Sequence, residues 1–172
     1  MKPAVIFDLD QTLLDTSSIA HLRSPGNWGA AVKAAKNLTP FPGINEILEW
    51  LAKNNIEVVV ITTSPAMYCT AIITHFQWKV AGQVCYHDVS RRKPDPEAFV
   101  KAVKDFGLDI SRTISVGDRD IDIIASNTIH IPSIACPWAS PDIQTLLAAK
   151  PTFVAKDTTE LFGTIKGFFK IG

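Results

Sequence analysis

The chain has 172 residues, of which 47% are hydrophobic and 20% charged; this sets intrinsic disorder aside and leads us to expect one folded domain over 1–172 with a sizeable core. Seventeen Lys and Arg balance seventeen Asp and Glu, so no net field draws the molecule toward nucleic acid or an anionic membrane, and any polyanion contact must be local. Three cysteines, Cys69, Cys85 and Cys136, are too few for a disulfide scaffold and read as buried reduced thiols of a cytoplasmic protein.

From the amino end, the apolar run 4–7 is strand-sized and stops at Asp8 and Asp10. It is too short for an export signal or a membrane span. Side chains alternate along an extended chain, so carboxylates two apart point the same way, and clustering like charges calls for a cation or a shared proton. A lone Asp-x-Asp more often caps a helix or faces water, and the pair gains meaning only from what joins it. Residues 15–41 then break the rhythm with Ser, Pro, Gly and Asn around one helical piece near 29–36, which reads as a short insertion over the sheet edge.

A helical pattern over 43–53 leads to a second strand, 57–61, and the hydroxyl-rich turn Thr62, Thr63, Ser64 opens the helix 66–76. Ser64-Pro65 reads as a capping hydroxyl followed by a first-turn proline, and the amides of such a turn can also hold a phosphate. After the strand 83–86 comes Arg91-Arg92-Lys93-Pro94-Asp95-Pro96, where a lysine precedes a proline that fixes the backbone. Its two arginines are either solvated or available to a second phosphate or a nucleic-acid backbone. The helix 96–106 and the strand 113–116 follow, and Gly117-Asp118, with Asp120 and Asp122, opens the helix 121–127. The strand 133–135, a helix 140–149 behind the pair Ser140-Pro141, and the strand 152–154 complete the pattern. Strands alternating with helices predict an open parallel sheet in three α/β/α layers, Rossmann-like, with ligands at the carboxyl ends of the strands.

Four stretches carry a resemblance. Phe7-Asp8-Leu9-Asp10-Gln11-Thr12-Leu13, Ile61-Thr62-Thr63, Lys93-Pro94-Asp95-Pro96 with Phe99, and Gly117-Asp118-Arg119-Asp120-Ile121-Asp122-Ile123 resemble, in order, the four motifs of the haloacid dehalogenase (HAD) superfamily of phosphotransferases. The resemblance implies a HAD-like fold and a phosphatase in which Asp8 is the nucleophile, forming an aspartyl-phosphate, and Asp10 is the general acid and then the base. Thr62, Thr63 and Lys93 would bind the phosphate, and Mg²⁺ would sit between Asp8, the backbone carbonyl of Asp10 and Asp118. Asp122 would ligate through water or orient Lys93; Asp120 is the alternative, and the family's spacing favours Asp122. An acid at Asp10 marks phosphoryl transfer rather than dehalogenation. Gln11 stands where the family often has glycine.

The insertion is too short for a four-helix lid, so the resemblance implies a capless or minimally capped enzyme. Its site would either admit a macromolecular phosphoester or be covered by a partner subunit. His21, Arg23, Asn27 and Trp28 are candidates to touch the leaving group; for Trp28 the alternative is packing on the sheet edge beside Ala30, Ala31 and Val32. Trp138 falls where many relatives carry an aromatic at the rim. His75, His87 and His130 lack metal-ligand spacing. Transfer to an acceptor other than water, or a non-catalytic phospho-ligand module on the same fold, are the competing functions.

Overall fold

The computed structural model describes residues 1–23 and 27–171. The short β-branched runs pair as six strands, β1 (Lys2–Phe7), β2 (Glu57–Ile61), β3 (Gly82–Val84), β4 (Leu108–Gly117), β5 (Ser133–Ala135) and β6 (Phe153–Val154). They form one sheet in the order β3-β2-β1-β4-β5-β6, parallel throughout. The winding reverses between β1 and β4, so their carboxyl ends face the crevice where open α/β sheets bind ligands.

Between the strands lie α1 (Trp28–Ala35), α2 (Ile44–Lys53), α3 (Ala66–His75), α4 (Glu97–Phe106), α5 (Asp120–Thr128), α6 (Ile143–Ala148) and α7 (Thr158–Phe169). The two-residue alternation of β1 sorts them into layers. Val5 and Phe7 belong to the core that includes α2, α3 and α7, whereas Ala4 and Ile6 pack with α4 and α5. Ile123 of α5 and Leu146 of α6 close over Ala135. With helices on both faces the inner strands are buried on both sides, which is why they read as continuous apolar runs.

The three-layer α/β/α sheet is the expected one, and the departures have physical causes. The fourth strand begins at Leu108, well before its apolar segment, because Asp109, Ser111 and Arg112 are polar and Lys2 meets Leu108 across a register irregularity. The third strand ends at Val84, and α6 starts only at Ile143 after a 3-10 turn at Pro137–Ala139. The long α7 was not predicted, because Gly163, Gly167 and several threonines depress helix propensity. Its signal was the pair Asp157 and Glu160: Asp157 accepts a hydrogen bond from the Glu160 amide at 2.8 Å, and Glu160 accepts one from the Lys156 amide at 2.9 Å.

Two expected caps are also corrected. Pro65, not Ser64, is the N-cap of α3, because the Ser64 hydroxyl is drawn to Asp10. At α6 the cap is Asp142, which accepts from the Thr145 amide, rather than Ser140. Within the insertion, a 3-10 helix at Ser17–Leu22 and α1 lie against one another and α1 packs on α3, with Ala31 and Ala35 buried. Among the described residues no helix is long and apolar enough to cross a membrane.

Candidate active site

Asp8 leaves β1 with its amide donating to the Val116 carbonyl at 2.9 Å, which holds it beside the end of β4. Asp118 follows β4, and Asp122 sits in the first turn of α5, its Oδ2 accepting from the Arg119 amide at 3.1 Å. One oxygen from each of Asp8, Asp118 and Asp122 lies within 4.8 Å of the others. Gly117 permits this approach: a Cβ there would stand 2.4 Å from Asp122 Cβ, a contact real side chains do not make. Thr12 donates to Asp118 Oδ1 at 3.2 Å from across the chain.

Lys93 enters from the loop before α4, its side chain only 3% exposed. The Nζ donates to Asp8 Oδ1 at 2.6 Å, to Asp122 Oδ1 at 2.5 Å and to the Ile61 carbonyl at 2.9 Å, so its three protons are all engaged. Burial pulls the ammonium's pKa down, but Asp122 and then Asp8 more than reverse this, and Lys93 stays charged. Burial pushes Asp8 well above the usual carboxylate range, against the pull of Lys93, with Asp122 and Asp118 adding to the rise. Burial and then the Asp122 charge push Asp118 up to about 7.

Three converging carboxylates against one ammonium leave an excess of negative charge in a buried site. A hard divalent cation is what an all-oxygen donor set of this charge fits.

Asp10 faces elsewhere. Arg23 lies 2.9 Å from its Oδ1, Tyr68 donates to the same oxygen at 3.1 Å, and Ser64 donates to Oδ2 at 2.8 Å. Arg23 also donates to Thr16 Oγ1 at 2.6 Å, so the insertion is tied to this carboxylate. Burial, then Asp10, pushes the Tyr68 hydroxyl up, which keeps it a proton donor to Asp10. Thr62 is buried and its hydroxyl oxygen accepts from the Ser64 amide at 3.0 Å. Thr63, Asp8, Asp10, Lys93, Asp118 and Asp122 line a cavity of about 270 Å³.

The structure therefore brings Asp8, Lys93, Asp118 and Asp122 together, with Asp10 and Thr63 on the same cavity wall. Asp122, not Asp120, reaches Lys93. Arg23 is spent on Asp10, Arg91 lies 3.3 Å from Asp95 and 3.4 Å from Glu97, and Arg92 stacks over the Tyr86 ring at 3.9 Å. Trp28 does pack, its ring centroid 5.5 Å from that of Tyr68, but it also lines a second cavity beside the first. Trp138 rests edge-on to Phe41 at 6.1 Å. Thr12, Ser64 and Tyr68 are the functional contacts that local sequence patterns missed: a Tyr on an apolar helix face looks like any core aromatic.

The strand order and the carboxylate and lysine cluster at its turning point define a three-layer α/β/α protein of the architecture expected from the four motifs. The chain belongs to the haloacid dehalogenase-like hydrolases, whose family model matches residues 26–136. It is 24% identical over 127 residues to a phosphoglycolate phosphatase of Pseudomonas fluorescens, covering 70% of this chain and 45% of that protein. It is 26% identical over 132 residues to the pyrophosphatase PpaX of Oceanobacillus iheyensis, covering 76% of this chain and 61% of that protein. The chain thus spans about half the length of the curated relatives it matches. Among solved structures it resembles a hydrolase from Pseudomonas syringae, with TM-score 0.78 and 21% identity over 96% of this chain and 99% of the other. CbbY from Rhodobacter sphaeroides in complex with phosphate gives TM-score 0.77 and 15% identity over 94% and 96%; at these identities the likeness is one of fold.

Proposed function

We propose that the protein is a Mg²⁺-dependent phosphomonoesterase that works through an aspartyl-phosphate on Asp8. The observation that carries this reading is the buried ammonium of Lys93 bridging Asp8 and Asp122 beside Asp118. That arrangement orients Asp8 and supplies positive charge where a phosphoryl group would transfer. The relatives' names, a phosphoglycolate phosphatase and a pyrophosphatase, support hydrolysis of a phosphate ester or anhydride.

Lys93 occupies Asp8 Oδ1, so the other oxygen forms the new bond to phosphorus as the ester oxygen leaves. Asp10 gives that oxygen its proton, then takes one from the water that cleaves the acyl phosphate and regenerates Asp8. Its hydroxyl partner Ser64 can donate to the ionised carboxylate and accept from the protonated one by rotating, which holds Asp10 in place through both half-reactions. Asp8, Asp118 and the Asp10 carbonyl would hold Mg²⁺, with Asp122 reaching it through water or orienting Lys93, and the ion supplies charge neutralisation on the phosphoryl oxygens. Thr62 and Thr63 complete the phosphate cradle.

Phosphate release from an aryl phosphate, with Mg²⁺ or with EDTA, tests the reading. Asp8→Asn should lower kcat by about a thousandfold or more, and Asp10→Asn by about a hundredfold or more while Mg²⁺ binding persists. Equal rates for Asp8→Asn and the unmodified protein would remove Asp8 as nucleophile and leave a phospho-ligand module. If added alcohols capture the phosphoryl group ahead of water, the enzyme is a transferase.

A further inference from the structure

A second cavity, of about 590 Å³, opens beside the catalytic one and shares Arg23 and Thr63 with it. Among the described residues the rest of its wall is Trp28, Pro65, Ala66, Met67, Tyr86 and His87, with no carboxylate. We propose that this cavity holds the leaving group of the phosphoester, and that the group it fits is a flat, uncharged aromatic ring carried either as a nucleobase or as a simple aryl group. The inference rests on the phosphatase reading above and names the substrate class for the same site.

Position comes first. The leaving oxygen must lie against Asp10, the proton donor, and Arg23, 2.9 Å from Asp10 Oδ1, stands on the boundary between the two cavities. Whatever is bonded to that oxygen leads past Arg23 and Thr63 into the second cavity.

Chemistry follows from the wall. Two aromatic rings and the thioether of Met67 offer apolar, polarisable surface to a ring, and rings prefer such partners. Tyr86 is 38% and Met67 57% exposed, so apolar area stands in water until a ligand covers it, and covering it is favourable. The two platforms are also held in place. Trp28 rests on Tyr68, and Arg92 pins Tyr86 by stacking on its ring and by donating to its carbonyl at 3.2 Å. Little side-chain freedom is lost when a ring docks on surfaces already fixed. A small carboxylate-bearing leaving group such as glycolate would use only the polar groups Arg23, Thr63 and His87 and leave the apolar part of this wall uncovered.

Matched pairs with the same leaving alkoxide isolate the ring from the bond-breaking chemistry: adenosine 5′-monophosphate against ribose 5-phosphate, and 2-phenylethyl phosphate against ethyl phosphate. The aromatic member should have the higher kcat/KM by about tenfold or more in at least one pair, and which pair responds tells nucleobase from aryl. In Trp28→Ala the ratio within that pair should fall toward one, whatever happens to the absolute rates. Met67→Glu, on an exposed position that cannot unfold the core, should lower the same ratio by placing a carboxylate on the wall. Ratios near one in both pairs, with turnover intact, would remove this inference and leave the phosphatase standing. Absence of turnover for every substrate, with Mg²⁺ present, would remove both. A ratio unchanged in both variants would put the ring elsewhere and overturn the assignment of this cavity.

Discussion

Lys93 engages all three ammonium protons on Asp8, Asp122 and the Ile61 carbonyl, a convergence on one point that a planar guanidinium cannot reproduce. Lys93→Arg should therefore lose activity as fully as Lys93→Met, by about a hundredfold or more in kcat/KM. In Lys93→Met the buried carboxylates lose their counter-charge, and urea denaturation in EDTA should show a loss of about 3 kcal/mol. Added Mg²⁺ should recover part of it, because the cation neutralises the same oxygens; an identical loss with and without Mg²⁺ would separate Lys93 from the metal site. Gly117→Ala acts on the same cluster by steric force, since its Cβ would fall 2.4 Å from Asp122 Cβ and 2.6 Å from Cγ. Asp122 must then withdraw from Lys93, and activity should drop before stability does. Asp8, Lys93 and Asp118 were legible in the sequence because each stands in one of four motifs that resemble those of a known family, in order and each after a predicted strand. Ser64, Tyr68 and Thr12 were not, because they reach partners 54, 58 and 106 residues away, and no local period encodes such a contact. Gln11 lies between these cases: its φ of 65° explains the family's glycine, while the amide sits against the insertion turn, within 3.2 Å of Asp15 Oδ1 and 3.3 Å of the Ser17 amide.

At the level of elements, the strands were legible to within a few residues wherever both faces are buried, because β-branched residues then have no alternative use. Helices were legible where proline or an apolar stripe marked them and illegible where glycine interrupts, as in α7. That helix nevertheless buries Leu161 and Ile165 completely in the core shared by Phe7 and Val60, so its start matters. Asp157→Ala removes the acceptor of the Glu160 amide and should cost about 1 kcal/mol, read as a lower urea midpoint with unchanged slope. The shorter α6 depends on Asp142 in a pH-dependent way. Hydrogen bonds from the Thr145 hydroxyl and then the Thr145 amide hold the Asp142 carboxyl below its ordinary value of 3.8. A carboxyl whose folded pKa is depressed stabilises the native state above its unfolded pKa, and that contribution disappears as the pH falls through the folded value. Hydrogen exchange at the Thr145 amide should accordingly gain protection, relative to its intrinsic rate, as the pH rises toward about 4, and level off above it. Asp142→Ala should abolish that gain, and a gain that survives the substitution would assign it to another group.

Across the whole molecule, the sheet order makes the site. Asp8 and Asp118 stand 110 positions apart in numbering yet meet because β1 and β4 are neighbours at the reversal of the winding, and α5 carries Asp122 back over the same edge. The described part of the insertion packs on α3, and Arg23 reaches from it to Asp10. Such a construction concentrates carboxylates where the core is dry, and the native state bears that cost until a cation arrives. On the proposed mechanism Mg²⁺ would be held by Asp8 and Asp118 only once folding has brought them together, so it should stabilise the protein by about 1.4 kcal/mol at ten times its dissociation constant. For a chain of this size that is a rise of about 4 °C in the melting temperature. Asp118→Asn should erase the rise, because a neutral amide is a poor ligand for the ion. The same variant in EDTA should melt no lower than the parent, since it removes a buried carboxylate from beside Asp122 while Asn can still accept from Thr12. Calorimetry of the two proteins with and without Mg²⁺ separates the effects. A melting shift that persists undiminished in Asp118→Asn would move the cation to some other part of the surface and with it the reason these acids are buried together.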